Sequence, residues 1–174
     1  MKLIEAFTDL ADEVRYPETV DPQALREIKR IKARVENERL PQGADPSRHL
    51  KLGPGSLSDV EWLVQLLQLE HAHSVPGMRT TSTIAALNAA TEARLIPQSA
   101  ADRLTAAWRL ASRLRSANTL LSGQTSDVLP TDRKRLDGIG RLLEYPPRSA
   151  TRVEEDYLGT TRRSRRVFEK LFYG

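Results

Sequence analysis

Apolar residues recur every three or four positions along most of this chain, which is the spacing of one face of an α-helix. No stretch of useful length alternates between apolar and polar residues, as a half-buried strand would. The pattern therefore predicts an all-α protein, a single compact bundle of six to seven helices with no sheet. The expected helices cover residues 2–15, 22–40, 56–73, 81–93, 99–122, 131–144 and 150–172.

The second and third of these helices distribute their apolar residues differently. In the second helix, Leu25, Ile28, Ile31 and Val35 form one stripe among charged residues, so we expect this helix to be half exposed. The third helix is apolar on nearly every side, so we expect it at the centre of the bundle.

Residue types at the segment ends predict where the helices start and stop. Asp21 is a good N-terminal cap ahead of a proline, and Gly123 is typical of the position just past a helix C-terminus. Capping-box spacing, a serine followed three residues later by an acidic residue, occurs at Ser56, Ser58 and Ser99. We expect these serines to cap the third and fifth helices.

Glycine and proline interrupt regular structure between residues 41 and 57, just ahead of the third helix. Lys51, Gly53 and Gly55 lie there, beside a helix N-terminus with free N–H groups, and form a candidate phosphate or other anion site. The alternative is a tight turn that only leads the chain into the helix. The loop lacks the glycine-lysine-serine end of a Walker loop, and no strand precedes it as in a dinucleotide fingerprint.

Polar side chains interrupt the apolar surface of the third helix. Asp59 and Glu61 are spaced like the paired carboxylates of a two-metal nucleotidyl-transfer site, but such a site needs both on one side of a strand. On a helix they diverge, so Asp59 is interpreted as a cap or a dipole partner. Glu61, Gln65 and Gln68 form one polar stripe, whose partners are expected on other helices or on a docked second domain.

A basic cluster near the chain's end comprises Arg162, Arg163, Arg165 and Arg166. It is a candidate contact for an acidic protein surface or a nucleotide. The alternative is a solvated helix face that complements the negative end of the helix dipole.

Composition narrows the chemistry further. The 174 residues are 39% hydrophobic, enough for one domain with a real core. The absence of cysteine excludes disulfides, thiolate zinc sites and thiol nucleophiles. His71 and His73 point to different faces of one helix, so no metal site is predicted, and no serine-hydrolase motif occurs.

Charge and hydropathy bear on partners and location. There are 27 basic and 23 acidic residues, a net charge of +4 that permits an acidic partner. Without an RNA-binding signature or a free recognition helix, nucleic acid is not the expected partner, and a basic helical nucleic-acid binder is only an alternative. No membrane-spanning segment or signal peptide is found, so we expect no membrane association and a cytoplasmic location.

The run LKLGPGSLSDVEWLVQLLQL at residues 50–69 resembles a segment of the glutamine synthetase adenylyltransferases, also called glutamate–ammonia-ligase adenylyltransferases. The stretch around Arg79-Thr80-Thr81, the Ala107-Trp108 pair and the ending Arg166-Val167-Phe168 are similar to the same family. The resemblance covers residues 21–174.

The resemblance implies a helical domain that follows a nucleotidyltransferase domain, with residues 1–20 as a short helix or linker leading from that domain. In the family, one half of the enzyme attaches AMP from ATP to a tyrosine of glutamine synthetase, and the other half removes it. The PII signalling protein and glutamine set the balance. The parent would use ATP and Mg²⁺ and contact glutamine synthetase, PII and its own upstream nucleotidyltransferase domain.

The resemblance also implies what this chain does not do. The family's catalytic signature, a glycine-rich turn followed by paired strand aspartates, is missing and is expected upstream of Met1. We therefore expect no catalytic residues and no cofactor here, and a C-terminal accessory role. Lys51, Gly53, Gly55, Asp59, Glu61, Gln65 and Gln68 would then shape the joint with the catalytic domain. A weak nucleotide- or phosphate-binding module centred on Lys51 is the other alternative.

Overall fold

The computed structural model describes residues 2–40, 43 and 45–174, and within them the chain forms seven α-helices and no strand. The all-α bundle is confirmed. The helices are α1 (Lys2–Arg15), α2 (Pro22–Glu38), α3 (Leu57–His71), α4 (Thr83–Glu92), α5 (Gln98–Ser122), α6 (Arg133–Leu142) and α7 (Ala150–Phe168). Short helical turns cover Pro46–Arg48 and Pro76–Met78, and a π-helical turn, Glu169–Tyr173, continues α7. Residues 41, 42 and 44 of the loop expected at 41–57, and Met1, lie outside the described residues.

Two of the expected helix ends are confirmed. The Asp21 side chain accepts a hydrogen bond from the backbone N–H of Gln23, with Pro22 in the first turn of α2. Gly123 ends α5 with a φ of 66°, in the left-handed region that glycine adopts at little cost.

The capping-box interpretation of the three serines is wrong. Ser56 precedes α3 but makes no cap bond, because its hydroxyl donates to the carbonyl of Leu50 instead. Ser58 and Ser99 lie inside the first turns of α3 and α5. At Ser56, another local bond therefore competes with the cap for the hydroxyl.

Two clusters of buried side chains form the interior. The first, which includes Leu63 and Phe168, joins α3, α4, the start of α5 and the end of α7. The second, which includes Leu114 and Tyr157, joins the loop before α3 to α5, α6 and α7. Because α5 and α7 contribute to both clusters and Trp108 packs against both, the two cores are parts of one bundle.

In α2, the predicted stripe is rotated. Leu25 and Ile28 pack against the first cluster, but Ile31 is 40% exposed. Its neighbour Lys32 is only 1% exposed, because two carboxylates draw its ammonium inward. The helix is half exposed as expected, and α3 lies in the interior as expected.

The orientation of α1 is the reverse of the usual one. None of its side chains is buried, and its large apolar residues Leu3, Ile4, Phe7, Leu10 and Val14 are 60–84% exposed. Its opposite, acidic side lines a depression that also includes His73 and Arg79. The helix thus turns its polar side toward the bundle.

Among the described residues, no helix is both long enough and apolar enough to span a membrane.

Candidate functional site

The segment from His49 to Asp59, called the glycine loop below, is held in place by its own side chains. The Nδ1 atom of His49 accepts hydrogen bonds from the backbone N–H groups of Lys51 and Leu52, at 3.3 and 3.0 Å. The hydroxyl of Tyr157 on α7 donates to the carbonyl of His49 at 3.1 Å and lies 3.3 Å from the Ser56 hydroxyl. Burial raises the pKa of Tyr157 to about 12, so its hydroxyl keeps the proton that it donates.

The two loop glycines bring the backbone close to other backbone. A Cβ added to Gly53 would lie 2.3 Å from the carbonyl oxygen of His49. A Cβ on Gly55 would lie 2.0 Å from the carbonyl oxygen of Thr161 and 2.7 Å from the nitrogen of Arg165. Gly55 also has a φ of +74°, which disfavours any side chain. Gly55 therefore allows a close approach to the protein's own helix α7, and Gly53 allows one to the backbone at His49.

The loop's N–H groups are largely occupied. Those of Gly53, Ser56 and Ser58 donate to backbone carbonyls, and that of Gly55 donates to the Asp59 carboxylate at 2.6 Å. Lys51 is exposed at the surface of the loop. Because few donors remain and a carboxylate already lies at this helix N-terminus, no observation favours phosphate binding here.

Asp59 is the centre of a buried ionic network. One carboxylate oxygen accepts from Lys32 at 2.6 Å, and the other accepts from Arg165 at 2.9 Å as well as from the Gly55 N–H. Glu36 pairs with both Lys32 and Arg165 at 3.0 Å. The network joins α2, the glycine loop and α7. Each charged group in it has an opposite charge beside it, as buried ions require.

Charges and hydrogen bonds around this network shift the pKa values of Glu36 and Arg165. Burial alone would raise the pKa of Glu36, but hydrogen bonds from Arg165 and Lys32 outweigh it and hold that pKa below its ordinary 4.5. Burial would lower the pKa of Arg165, but hydrogen bonds to Glu36 and Glu169 and the charge of Asp59 raise it. Both groups stay ionised at neutral pH.

A groove of about 570 Å³, called the α3 groove below, opens along the outer side of α3. The end of α1, the middle of α2 and the segment after Met78 complete its walls. The predicted polar stripe lies here. Glu61 accepts from the Trp108 indole at 3.3 Å, and Gln68 donates to the carbonyls of Met78 and Thr80, both at 2.7 Å. Gln65 is exposed in the groove, and its side chain makes no hydrogen bond to any described residue.

The predicted candidates therefore divide into two places. Asp59, Gly53 and Gly55 belong to the glycine loop and its packing on α7, whereas Glu61, Gln65 and Gln68 line or border the α3 groove. Among residues 2–40, 43 and 45–174, no group of three or more His, Asp or Glu side chains is arranged to hold a metal ion.

The four arginines near the chain's end do not form one surface. Arg162, Arg163 and Arg166 are exposed, the first two with hydrogen bonds to α7 itself. Arg165 points inward to Asp59 and Glu36, and its guanidinium also lies 5.1 Å from the Phe168 ring. The exposed part of the basic cluster is three residues.

Comparison with known protein families identifies the family of this helical chain. Residues 26–172 match the model of a family described as GlnD PII-uridylyltransferase. The chain belongs to this family. Its curated relatives include proteins named bifunctional glutamine synthetase adenylyltransferase/adenylyl-removing enzyme. Those of Leifsonia xyli subsp. xyli, Streptomyces coelicolor and Mycobacterium avium are 63%, 51% and 46% identical over 99%, 96% and 98% of this chain.

These relatives confirm the resemblance to glutamine synthetase adenylyltransferases. The chain spans only 17% of the length of each of the three. The family model and the relatives are named for different nucleotidyl transfers, uridylyl and adenylyl. The three relatives align with 96–99% of the chain, whereas the family model matches residues 26–172.

Sequence reasoning missed several residues on which this family member's site depends. In the sequence, Lys32 is one of several charged residues on the side of α2 that the pattern predicts to be exposed. Only its position next to the apolar stripe indicates burial. His49 and Tyr157 were not singled out, although a lone histidine beside a glycine-rich loop is a recognisable acceptor for loop N–H groups. Tyr157 lies 108 residues from its partner His49, so no local pattern could connect them.

Proposed function

We propose that this chain is a helical accessory and regulatory unit of a bifunctional glutamine synthetase adenylyltransferase/adenylyl-removing enzyme. The observation that carries the proposal is the 63% identity to a protein of that name over 99% of this chain. The resemblance of the segment after His71 and of the chain's end supports a position in the parent's C-terminal, adenylylating half.

The parent's reaction joins AMP to a tyrosine of glutamine synthetase. The tyrosine oxygen attacks the α-phosphorus of ATP, and pyrophosphate leaves. ATP and Mg²⁺ would bind in a nucleotidyltransferase domain elsewhere in the parent, and PII would act as a regulatory partner. The reaction belongs to the cytoplasm, where ATP and glutamine synthetase are found.

The geometry of the carboxylates supports an accessory role. Asp59 is 0% exposed, and both of its oxygens already face cations or an N–H group. Glu61 is turned toward the Trp108 indole. Asp59 therefore has no free oxygen for a metal–nucleotide complex, and a two-metal transfer site needs two such carboxylates.

The glycine loop and the α3 groove suggest how the unit would support the reaction. The ionic network fixes the loop on α7, so the start of α3 is a rigid platform. Beside it, the groove offers an unpaired amide at Gln65 among apolar walls. In the parent, this surface would shape or regulate the adjacent catalytic domain, and the exposed Lys51 and arginines would contact acidic partners.

The proposal is tested by the transfer of labelled AMP from ATP to glutamine synthetase in the presence of Mg²⁺. One sample is the 174-residue chain, and the other is a full-length chimera in which this chain replaces its counterpart in the Leifsonia xyli relative. We expect the chimera to label glutamine synthetase and the chain alone to leave it unlabelled. Labelling by the chain alone, or an inactive chimera beside an active native relative, contradicts the proposal.

Residue substitutions in the chimera test the groove. Gln65→Leu should change the rate of AMP transfer, or its response to glutamine and PII, at least threefold. Asn88→Leu, which replaces an amide that is also exposed, on α4, should leave both unchanged. Equal effects of the two substitutions would remove the groove from the proposal.

A further inference from the structure

The apolar side of α1 is an exposed surface feature that the proposed function does not explain. Leu3, Phe7, Leu10 and Val14 recur at intervals of four, three and four, so they lie along one side of the helix. Their exposed fractions are 84%, 70%, 60% and 75%. Water-facing apolar stripes of this size mark interaction sites in soluble proteins.

The direction of this stripe argues that it is not simply loose packing against the bundle. Asp9, Asp12 and Glu13 lie on the opposite side of α1, where they line the depression shared with His73 and Arg79. The helix is anchored through the adjoining Tyr16, which is 5% exposed in the first core cluster. If the bundle were the intended partner of α1, the apolar side would face it.

The comparisons separate α1 from the rest of the chain. The family model begins at residue 26, so α1 lies outside the helical module that the family shares. The Leifsonia xyli relative nevertheless aligns over 99% of the chain, and therefore over most of α1. That relative is also about six times longer than this chain, which spans 17% of its length. Helix α1 therefore lies outside the part that the family model matches but within the part that aligns with the longer relative.

We infer that the Leu3, Phe7, Leu10 and Val14 side of α1 is the docking surface for the catalytic domain of the same polypeptide. This inference rests on the proposed function, because that function supplies the catalytic domain. A contact within one polypeptide needs little interface area, because the linkage already holds the two surfaces at high effective concentration.

The charge of α1 disfavours the other occupants. The helix has four acidic residues against two basic ones. A second copy would bring two acidic helices together, and an anionic lipid surface prefers helices rich in lysine and arginine. A protein surface that is apolar with a neutral or basic rim satisfies both the stripe and its flanks.

Hydrogen exchange tests the inference on the 174-residue chain and on the full-length chimera described above. Backbone amides of residues 3–14 should exchange at least tenfold more slowly in the chimera than in the chain alone. Phe7→Gln/Leu10→Gln in the chimera should abolish that protection, whereas Asp9→Asn/Glu13→Gln, on the opposite side, should preserve it. Equal exchange in the two proteins, or protection that survives Phe7→Gln/Leu10→Gln, overturns the inference.

Sedimentation of the chain alone provides the second measurement. A monomer at all concentrations supports the assigned occupant. A dimer that Phe7→Gln/Leu10→Gln dissolves would show that a second copy covers α1, and it would overturn the assignment. Protection of α1 in a chimera that fails to label glutamine synthetase would sink the proposed function and leave the docking intact, and labelling without protection would do the reverse.

Discussion

At the scale of single residues, Gly55 sets the distance between the glycine loop and α7. Its position has room for a hydrogen atom but not for a carbon, because the Thr161 carbonyl and the Arg165 amide are backbone groups that cannot rotate away. The pattern of glycines in the sequence predicted a close approach of the backbone. It could not say that the approaching group is the protein's own helix, since that helix is over 100 residues away.

Replacing Gly55 by alanine should destabilise the protein by about 3 kcal/mol, from steric overlap together with the strain of a positive φ. Gly123→Ala is the matched control, because Gly123 also has a positive φ but its added Cβ would meet nothing within 4 Å. It should cost about 1 kcal/mol. Urea unfolding followed by circular dichroism measures both. Equal losses would mean that the contact with α7 is unimportant.

His49 should make stability depend on pH in the window just below its ordinary pKa of 6.5. Burial, together with the charges of Arg115 and Lys51, lowers its pKa below the ordinary 6.5 in spite of Asp127. The unfolded chain then binds the proton more tightly, so the free energy of unfolding falls as the pH drops through this window. For one proton the slope is at most about 1.4 kcal/mol per pH unit.

The comparison variant is His49→Asn, which keeps an acceptor near the Lys51 and Leu52 N–H groups but does not titrate. Urea unfolding at pH 7.5, 6.5 and 5.5 should show a smaller decline for the variant than for the natural protein. Carboxylates with lowered pKa values, such as Glu36, have an ordinary value of 4.5 and act below this window. The same decline in both proteins would contradict the role assigned to His49.

At the scale of helices, α7 takes part in three separate sets of interactions. It provides Tyr157 to the glycine loop, Arg165 to the ionic network and Phe168 to the first core cluster. Its pattern predicted a helix with an exposed basic cluster. The inward direction of Arg165 could not be read from the sequence, because it depends on carboxylates from α2 and α3 that only the tertiary structure brings together.

One position of α7 carries an avoidable cost. Ser164 is 0% exposed, and its hydroxyl has no hydrogen-bond partner among the described residues. Ser164→Ala should raise the free energy of unfolding by about 1 kcal/mol, since it removes a buried unpaired polar group and improves helix propensity. Thr161→Val, which removes a buried hydroxyl that donates to the Tyr157 carbonyl, should give no such gain. A less stable Ser164→Ala protein contradicts this prediction.

At the scale of the whole molecule, the two core clusters should unfold together. Leu114 is fully buried in the second cluster, and Leu114→Ala should cost about 3 kcal/mol. In a Trp108→Phe background, Trp62 is the remaining tryptophan and reports on the first cluster. Because α5 and α7 run through both clusters, the urea midpoint seen by Trp62 should shift as much as the midpoint seen by circular dichroism. Separate midpoints would show two independent units.

Much of this architecture was open to prediction, because helix formation and the burial of apolar faces depend on local spacing. All seven helices are found near their expected positions, and Asp21 and Gly123 end theirs as expected. The site was less accessible. Gln68 and Glu61 find partners within the bundle while Gln65 does not, and their shared spacing cannot tell these environments apart.

The contact between Asp59 and Arg165 also sets the order of events during synthesis. The two residues are 106 positions apart, so at roughly 5–20 residues per second α7 leaves the ribosome about 5–20 seconds after the glycine loop. Until then Lys32 and Asp59 have no guanidinium beside them, and Gly55 has no backbone to pack against. The packing of the glycine loop on α7 is therefore completed late in synthesis. In a chain that ends before α7, the start of α3 lacks this packing.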